Sequence, residues 1–237
     1  MKNKKISIKT IACFLFLNLL STAYAAEYGV RLGYSEVKHG CGFSNTGNFG
    51  ANLIVTGTAK TKDCGDDGSP SIGLVMINKL DNGLFVDSEI AYVTDKTNFT
   101  STYTVNFNNS APGTGNTQKI IVDSFPRLLV SIGKNFDTGS FVISPVVGVG
   151  YAQIKASGIQ NEGTGGVFRM RENTNDNFIW NIGASFSVPK SNWSVDYRYI
   201  DYGTVETANT KHPSSSTAGE RLHGDMTSHN VSLTYKF

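Results

Sequence analysis

Val231-Ser-Leu-Thr-Tyr-Lys-Phe237 ends the chain. In an extended strand Val231, Leu233, Tyr235 and Phe237 share one face, while Ser232, Thr234 and Lys236 share the other. A strand in a membrane barrel needs this division, with apolar residues toward lipid and polar residues toward the lumen. Its backbone groups must also be fully paired, because lipid offers them no partner.

Working back from this strand, period-2 alternation recurs, and no stretch sustains a 3.6-residue period. The pattern predicts eight strands: 27–37, 71–80, 84–95, 118–135, 141–156, 177–188, 192–206 and a last one ending at Phe237. The first sets Tyr28, Val30, Leu32 and Tyr34 outward and Gly29, Arg31, Gly33 and Ser35 inward. The second is apolar on both faces, so its register stays open. The third places Leu84, Val86, Ile90 and Tyr92 against Asp87, Glu89 and Ala91.

Short turns at Asp81-Asn-Gly83, Phe136-Asp-Thr-Gly139 and Pro189-Lys-Ser191 alternate with four long polar connections. The fold class is therefore all-β, an eight-stranded antiparallel transmembrane barrel with short turns at one end and long loops at the other. A soluble lipocalin-like barrel is the competitor, but it hides its apolar face inside. Here that face is the larger one and carries Trp and Tyr near strand ends. Pro126 and Pro145 fall within strands, so each is expected near a rim or at a bulge.

The other end of the chain bears on compartment. Lys2, Lys4, Lys5 and Lys9 precede the apolar run Ile11–Leu20, which is shorter than the roughly 20 residues a membrane helix needs. Ala23 and Ala25 then satisfy an Ala-x-Ala cleavage site. Residues 1–25 are read as a cleaved export signal and 26–237 as the barrel domain. The full chain has 21 basic and 19 acidic residues, and removing four leader lysines leaves 17 against 19, a balance that favours no nucleic acid. Cys41 and Cys64 remain after Cys13 is lost, and one disulfide is expected between them in an oxidising compartment. A metal site needs more ligands than His39 and Asp63 supply. No cofactor is implied.

Arg31, Asp87, Glu89, Arg127, Asp196, Arg198 and Lys236 all take inward parity. Eight strands leave an interior that side chains just fill, and charges confined there must pair. These seven are read as a lumen charge network that plugs the barrel.

In strand seven, Tyr197-Arg-Tyr-Ile-Asp-Tyr-Gly203 resembles the Tyr-Arg-Tyr-x-Asp-x-Gly segment of small outer-membrane proteins of the opacity-protein and OmpA/OmpX-like (porin family) superfamily. The ending Val231, Leu233, Tyr235 and Phe237 is similar to the assembly signal of such barrels. The resemblance implies a place in the cell outer membrane among lipid and lipopolysaccharide, and recognition by the barrel-assembly machinery. It also implies a surface protein, structural or adhesive, with a possible host-surface ligand at its loops; a monomer is expected. A narrow channel for small solutes is the alternative, and a lipid-modifying hydrolase the third reading. An enzyme is not expected: His229 and Ser232 lie on opposite strand faces, and no Gly-x-Ser-x-Gly elbow is present.

Overall fold

The computed structural model describes residues 26–40, 42–46, 66–94, 96–105, 113–161, 166–211 and 219–237. The expected export signal, Cys41, Cys64 and Asp63 lie outside the described residues. The strands are β1 (Ala26–His39), β2 (Gly42–Thr46), β3 (Asp66–Lys79), β4 (Leu84–Val93), β5 (Thr97–Val105), β6 (Gly113–Val122) and β7 (Phe125–Lys134). They continue as β8 (Phe136–Asp137), β9 (Val142–Asn161), β10 (Val167–Ser187), β11 (Trp193–Glu206), β12 (Thr210–Lys211) and β13 (Gly219–Lys236).

These form eight passes: β1 with β2, β3, β4 with β5, β6 with β7 and β8, β9, β10, β11 with β12, and β13. Neighbours are antiparallel, in the order β1-β3-β4-β7-β9-β10-β11-β13, and β13 pairs back onto β1 from Gly29↔Lys236 to His39↔Met226. The barrel is closed, so its wall has no unpaired edge at this level.

At one end the passes join through tight turns. Asn82 and Gly83 both take positive φ (59° and 75°), as a two-residue hairpin turn demands. The register of β3, open from sequence, places Ile72 and Leu74 outward and Ser71, Gly73 and Val75 inward. Pro145 falls where the β7–β9 ladder lapses below Gly133↔Val146. Pro126 falls above its other limit, Arg127↔Ala152. From there to Val122↔Ala156 the β6–β7 pass has four intervening residues against three on β9, a bulge.

The polarity of the wall reverses along most passes; the inward face of β3, with Val75 below and Ser69 and Ser71 above, does not follow. On β1 the outward residues Tyr28, Leu32 and Tyr34 are exposed and apolar, but Glu36 and Lys38 follow on the same face. The inward face changes the other way, from Arg31 and Ser35 to Val37 and His39. The same switch occurs on β9 between Tyr151 and Gln153, and on β13 between Val231 and Thr227. Below it the barrel has an apolar belt and a polar lumen. Above it Phe99, Ile120, Ile154, Phe168, Met170 and Leu222 pack into an apolar core under a polar wall.

This upper core accounts for the largest departure from the sequence reading. Residues 157–176 read as a loop from their Gly and Asn content, yet β9 runs to Asn161 and β10 begins at Val167. Their inward side chains Phe168 and Met170 help fill the core, and each apolar side chain so buried contributes about 1.5–3 kcal/mol. The loops expected at 38–70, 96–117 and 207–222 likewise contain β2 and the start of β3, β5 with the start of β6, and β12 with the start of β13.

Candidate functional site

The lumen within the belt is the chemically distinctive part of the barrel. Arg31 on β1 donates through Nη2 to Asp87 Oδ2 at 2.8 Å, through Nη1 to Glu89 Oε2, and through Nε to Thr234 Oγ1 at 2.8 Å. Its Nε also lies 3.5 Å from Asp196 Oδ2, which accepts the Thr234 hydroxyl at 2.6 Å. Arg127 on β7 donates to Glu89 Oε1 at 2.8 Å through Nη2, and to the Tyr202 hydroxyl at 3.1 Å through Nη1. Arg198 on β11 reaches Asp87 Oδ2 at 2.5 Å and Ser131 Oγ at 3.3 Å.

Three guanidinium groups thus meet three carboxylates, all at most 3% exposed. Such a set is stable only because every charge has an opposite within reach; removing one partner leaves a buried charge bare. The strands β4 and β11 lie opposite each other in the ring order, so the Asp87–Arg198 pair bridges the full diameter. Glycine makes room for it. A Cβ on Gly183 would stand 2.0 Å from the Tyr197 carbonyl oxygen and 2.9 Å from Arg198 Cα, so only glycine lets the two strands close beside that arginine.

Six of the seven lumen residues expected from sequence come together in this network. Lys236 does not: it lies at the turn end, partly exposed, 3.6 Å from Glu27 Oε2. Glu27 Oε1 also holds Lys79 at 2.5 Å. Thr234 and Tyr202 were missed as network members, although their parity with Lys236 and Arg198 marks them as inward. Val231, Leu233, Tyr235 and Phe237, the residues of the expected assembly signal, all face outward on the belt.

The strand-seven motif has a local physical basis. Tyr197 and Tyr199 face out while Arg198 and Tyr202 face in. Asp201 Oδ1 accepts the Gly203 amide at 2.7 Å, and Gly203 takes φ +68° at a bulge between Asp201 and Gly203. The Asp-x-Gly triplet is a bulge device that turns Tyr202 onto Arg127.

His229 and Ser232 do lie on opposite faces: His229 Nδ1 is 2.7 Å from the Tyr197 hydroxyl on the outside, and Ser232 is buried inside. In the upper chamber His39 is buried and stacked on Phe99 at 5.2 Å. Burial pushes its pKa down to about 4, against the opposing pull of the Gly40 carbonyl and of Asp225.

No family model matches this chain, and neither does any curated protein. Among solved structures it is similar to the attachment invasion locus protein Ail of Yersinia pestis, at 14% identity over 90% of this chain and 99% of that one, with a TM-score of 0.39. It is similar to Neisserial surface protein A at 15% identity over 90% and 99%, TM-score 0.39. The outer membrane protein OprG of Pseudomonas aeruginosa gives 14% identity over 90% and 96%, TM-score 0.46. With superpositions this loose, the fold rests on the strand pairing itself.

Proposed function

We propose that the chain is an integral outer-membrane barrel that acts as a surface protein, structural or adhesive, through the wall and loops it raises outside the bilayer. The apolar exterior that gives way to a polar one at a common level of the wall carries this reading. An exterior set with Leu32, Leu74, Ile182 and Val195 suits hydrocarbon, and the residues Ala26 to Ser35 on β1 match the 9–11 residues of a membrane strand. Tyr34, Tyr92, Tyr151, Phe178 and Tyr199 cap the belt as an interfacial girdle. Above it, a wall with a core of its own is a rigid platform exposed to the surroundings. Tight turns at the other end suit the periplasmic side. Lipopolysaccharide is the neighbour of the girdle, the assembly machinery reads the outward face of β13, and a host-surface ligand belongs to the outer loops.

The network spanning the lumen favours a plugged barrel over a channel. Single-channel recording of the refolded protein in planar bilayers, after heat-modifiable gel migration has established folding, tests this. A folded barrel that stays silent agrees with the surface role. Stable, ion-selective steps make it a porin.

A further inference from the structure

On the upper outer wall, basic side chains gather where β10, β12 and β13 meet. Arg169 and Arg171 alternate with the inward Phe168 and Met170 and are exposed. The Ala208 amide donates to the Arg171 carbonyl at 3.0 Å, and the Arg171 amide donates to Thr210 Oγ1 at 2.9 Å. Arg171 therefore stands level with residue 209. The pairs Thr210↔Glu220 and Lys211↔Gly219 register β12 on β13 and put Arg221 on that same row. Arg169 and the exposed Lys211 share the outward row above it. Same-face residues lie about 7 Å apart along a strand and strands about 4.8 Å apart, so the four form a grid of about 7 by 10 Å.

The grid is left cationic. Arg221 pairs at 2.8 Å with Glu206, one row below it. Glu172, next to Arg171 in sequence, is turned instead to Lys155 at 3.3 Å. Arg169, Arg171 and Lys211 form no ion pair among the described residues. By contrast Lys38 and Lys96, on other passes of the upper wall, each face an acid: Glu36 at 3.3 Å and Asp123 at 3.0 Å.

Height selects the anion. Arg171 is seven residues from Phe178 of the girdle, one of them the extra residue of the Met170/Asn173 bulge. At about 3.3 Å per residue on strands tilted about 40°, it stands about 15 Å above the girdle. The headgroup zone of a leaflet is only about 5–8 Å deep. Between girdle and grid the outward face carries Asp176, Asp201 and Asp225, which repel phosphate. Phosphates of the surrounding lipid headgroups thus lie too low. The grid also faces sideways, along the membrane plane, so its anion stands beside the barrel and above the headgroups.

We propose that this grid binds the phosphorylated saccharide of lipopolysaccharide, which rises from the lipid alongside the wall. The inference rests on the outer-membrane placement proposed above and adds a site to it. Arginine offers forked donors that match two phosphate oxygens at once, and the spacing of the grid lets phosphates on neighbouring sugars be held together. The contact fastens one side of the upper wall to the saccharide layer around it.

The test is NMR titration of the full barrel, refolded in zwitterionic micelles, with the oligosaccharide freed from lipopolysaccharide by deacylation, its phosphates retained. Saturable amide shifts centred on 169–171, 209–211 and 219–221 are expected. The same oligosaccharide stripped of phosphate should bind at least about tenfold more weakly. Arg171→Gln and Lys211→Gln should each weaken binding by about tenfold, while Lys38→Gln and Lys96→Gln should stay within about twofold of wild type. All four side chains are exposed, and heat-modifiable gel migration checks that each variant has folded. No saturable binding overturns the proposal, as does equal binding of the dephosphorylated oligosaccharide. Equal losses in the Lys38 and Lys96 variants also overturn it, because the cause is then a general field of charge. Tighter binding of a dextran sulfate oligosaccharide overturns it too, and gives the grid to a sulfated glycan from outside. Binding in micelles is indifferent to conductance and to adhesion by the outer loops, so its failure leaves the surface role standing.

Discussion

Glu89 accepts from two arginines, one on each side of it around the wall, Arg31 on β1 and Arg127 on β7. Glu89→Gln keeps the shape but leaves both guanidinium groups short of charge. The expected cost is about 3–5 kcal/mol, seen as a lower temperature for the heat-induced gel shift, with Arg127→Ala losing a similar amount. If neither variant changes thermal stability or conductance, these residues do not form a plug. At His39 the sign runs with acid. Its folded pKa of about 4 lies below the ordinary 6.5, so the unfolded chain takes up a proton first as pH falls. Stability from this residue is complete above about pH 7 and declines between 6.5 and 4, by about 1.4 kcal/mol per pH unit. Melting His39→Phe beside wild type at pH 7.5 and 5 should show a smaller acid loss in the variant, whose ring stacks on Phe99 without titrating. Parity alone puts Arg31, Asp87 and Arg198 in the lumen. It does not say which pairs form, and it grouped Lys236 with them because alternation gives the face of a side chain and not its depth.

Between β10 and β11 the backbone ladder runs only from Trp180↔Asp201 to Ser187↔Ser194. Above it, asparagine side chains do the joining. Asn177 Nδ2 donates to the Tyr202 and Thr204 carbonyls at 2.7 and 2.9 Å. Asn175 donates to the Glu206 carbonyl at 2.9 Å and accepts the Glu206 amide at 3.0 Å, as a peptide group would. Asn175→Leu should therefore open this seam locally. Amide hydrogen exchange at Glu206 should quicken by a factor corresponding to about 1–3 kcal/mol, while amides of 194–200 keep wild-type protection. Equal change across all of β11 would mean that the asparagines are not a local fastener. The run Asn173-Thr-Asn175-Asp-Asn177 explains why the top of this pass was illegible in the sequence: asparagine is a turn former by propensity, and here it stands in for a ladder. The bulge at Met170/Asn173 adds to this, since it breaks the period-2 signal where Arg171 and Glu172 both turn outward. The number of passes was easier to read, because the passes cross the belt with period-2 alternation, β3 with its two apolar faces excepted.

At the scale of the whole molecule, two barrels of opposite polarity share one wall, apolar outside below and apolar inside above. The depth of a substitution should then decide its cost more than its chemistry does. Leu32 is exposed on the belt face of β1, and Thr174 is exposed on the upper part of β10. An arginine at mid-belt is expected to cost about 2–4 kcal/mol, and one on the upper wall less than about 1. Leu32→Arg and Thr174→Arg, unfolded by urea from phospholipid vesicles and followed by the fluorescence of Trp180 and Trp193, measure the two depths in one protein. The inner face should give the reverse order of tolerance for apolar residues. Ser232→Ala in the polar lumen, where the serine hydroxyl has no hydrogen-bond partner among the described residues, should be mild, while Ile120→Ser in the upper core should cost about 2–4 kcal/mol through the cavity and the lost burial. If Leu32→Arg proves as harmless as Thr174→Arg, the belt does not face hydrocarbon, and the barrel must cover that surface in another way.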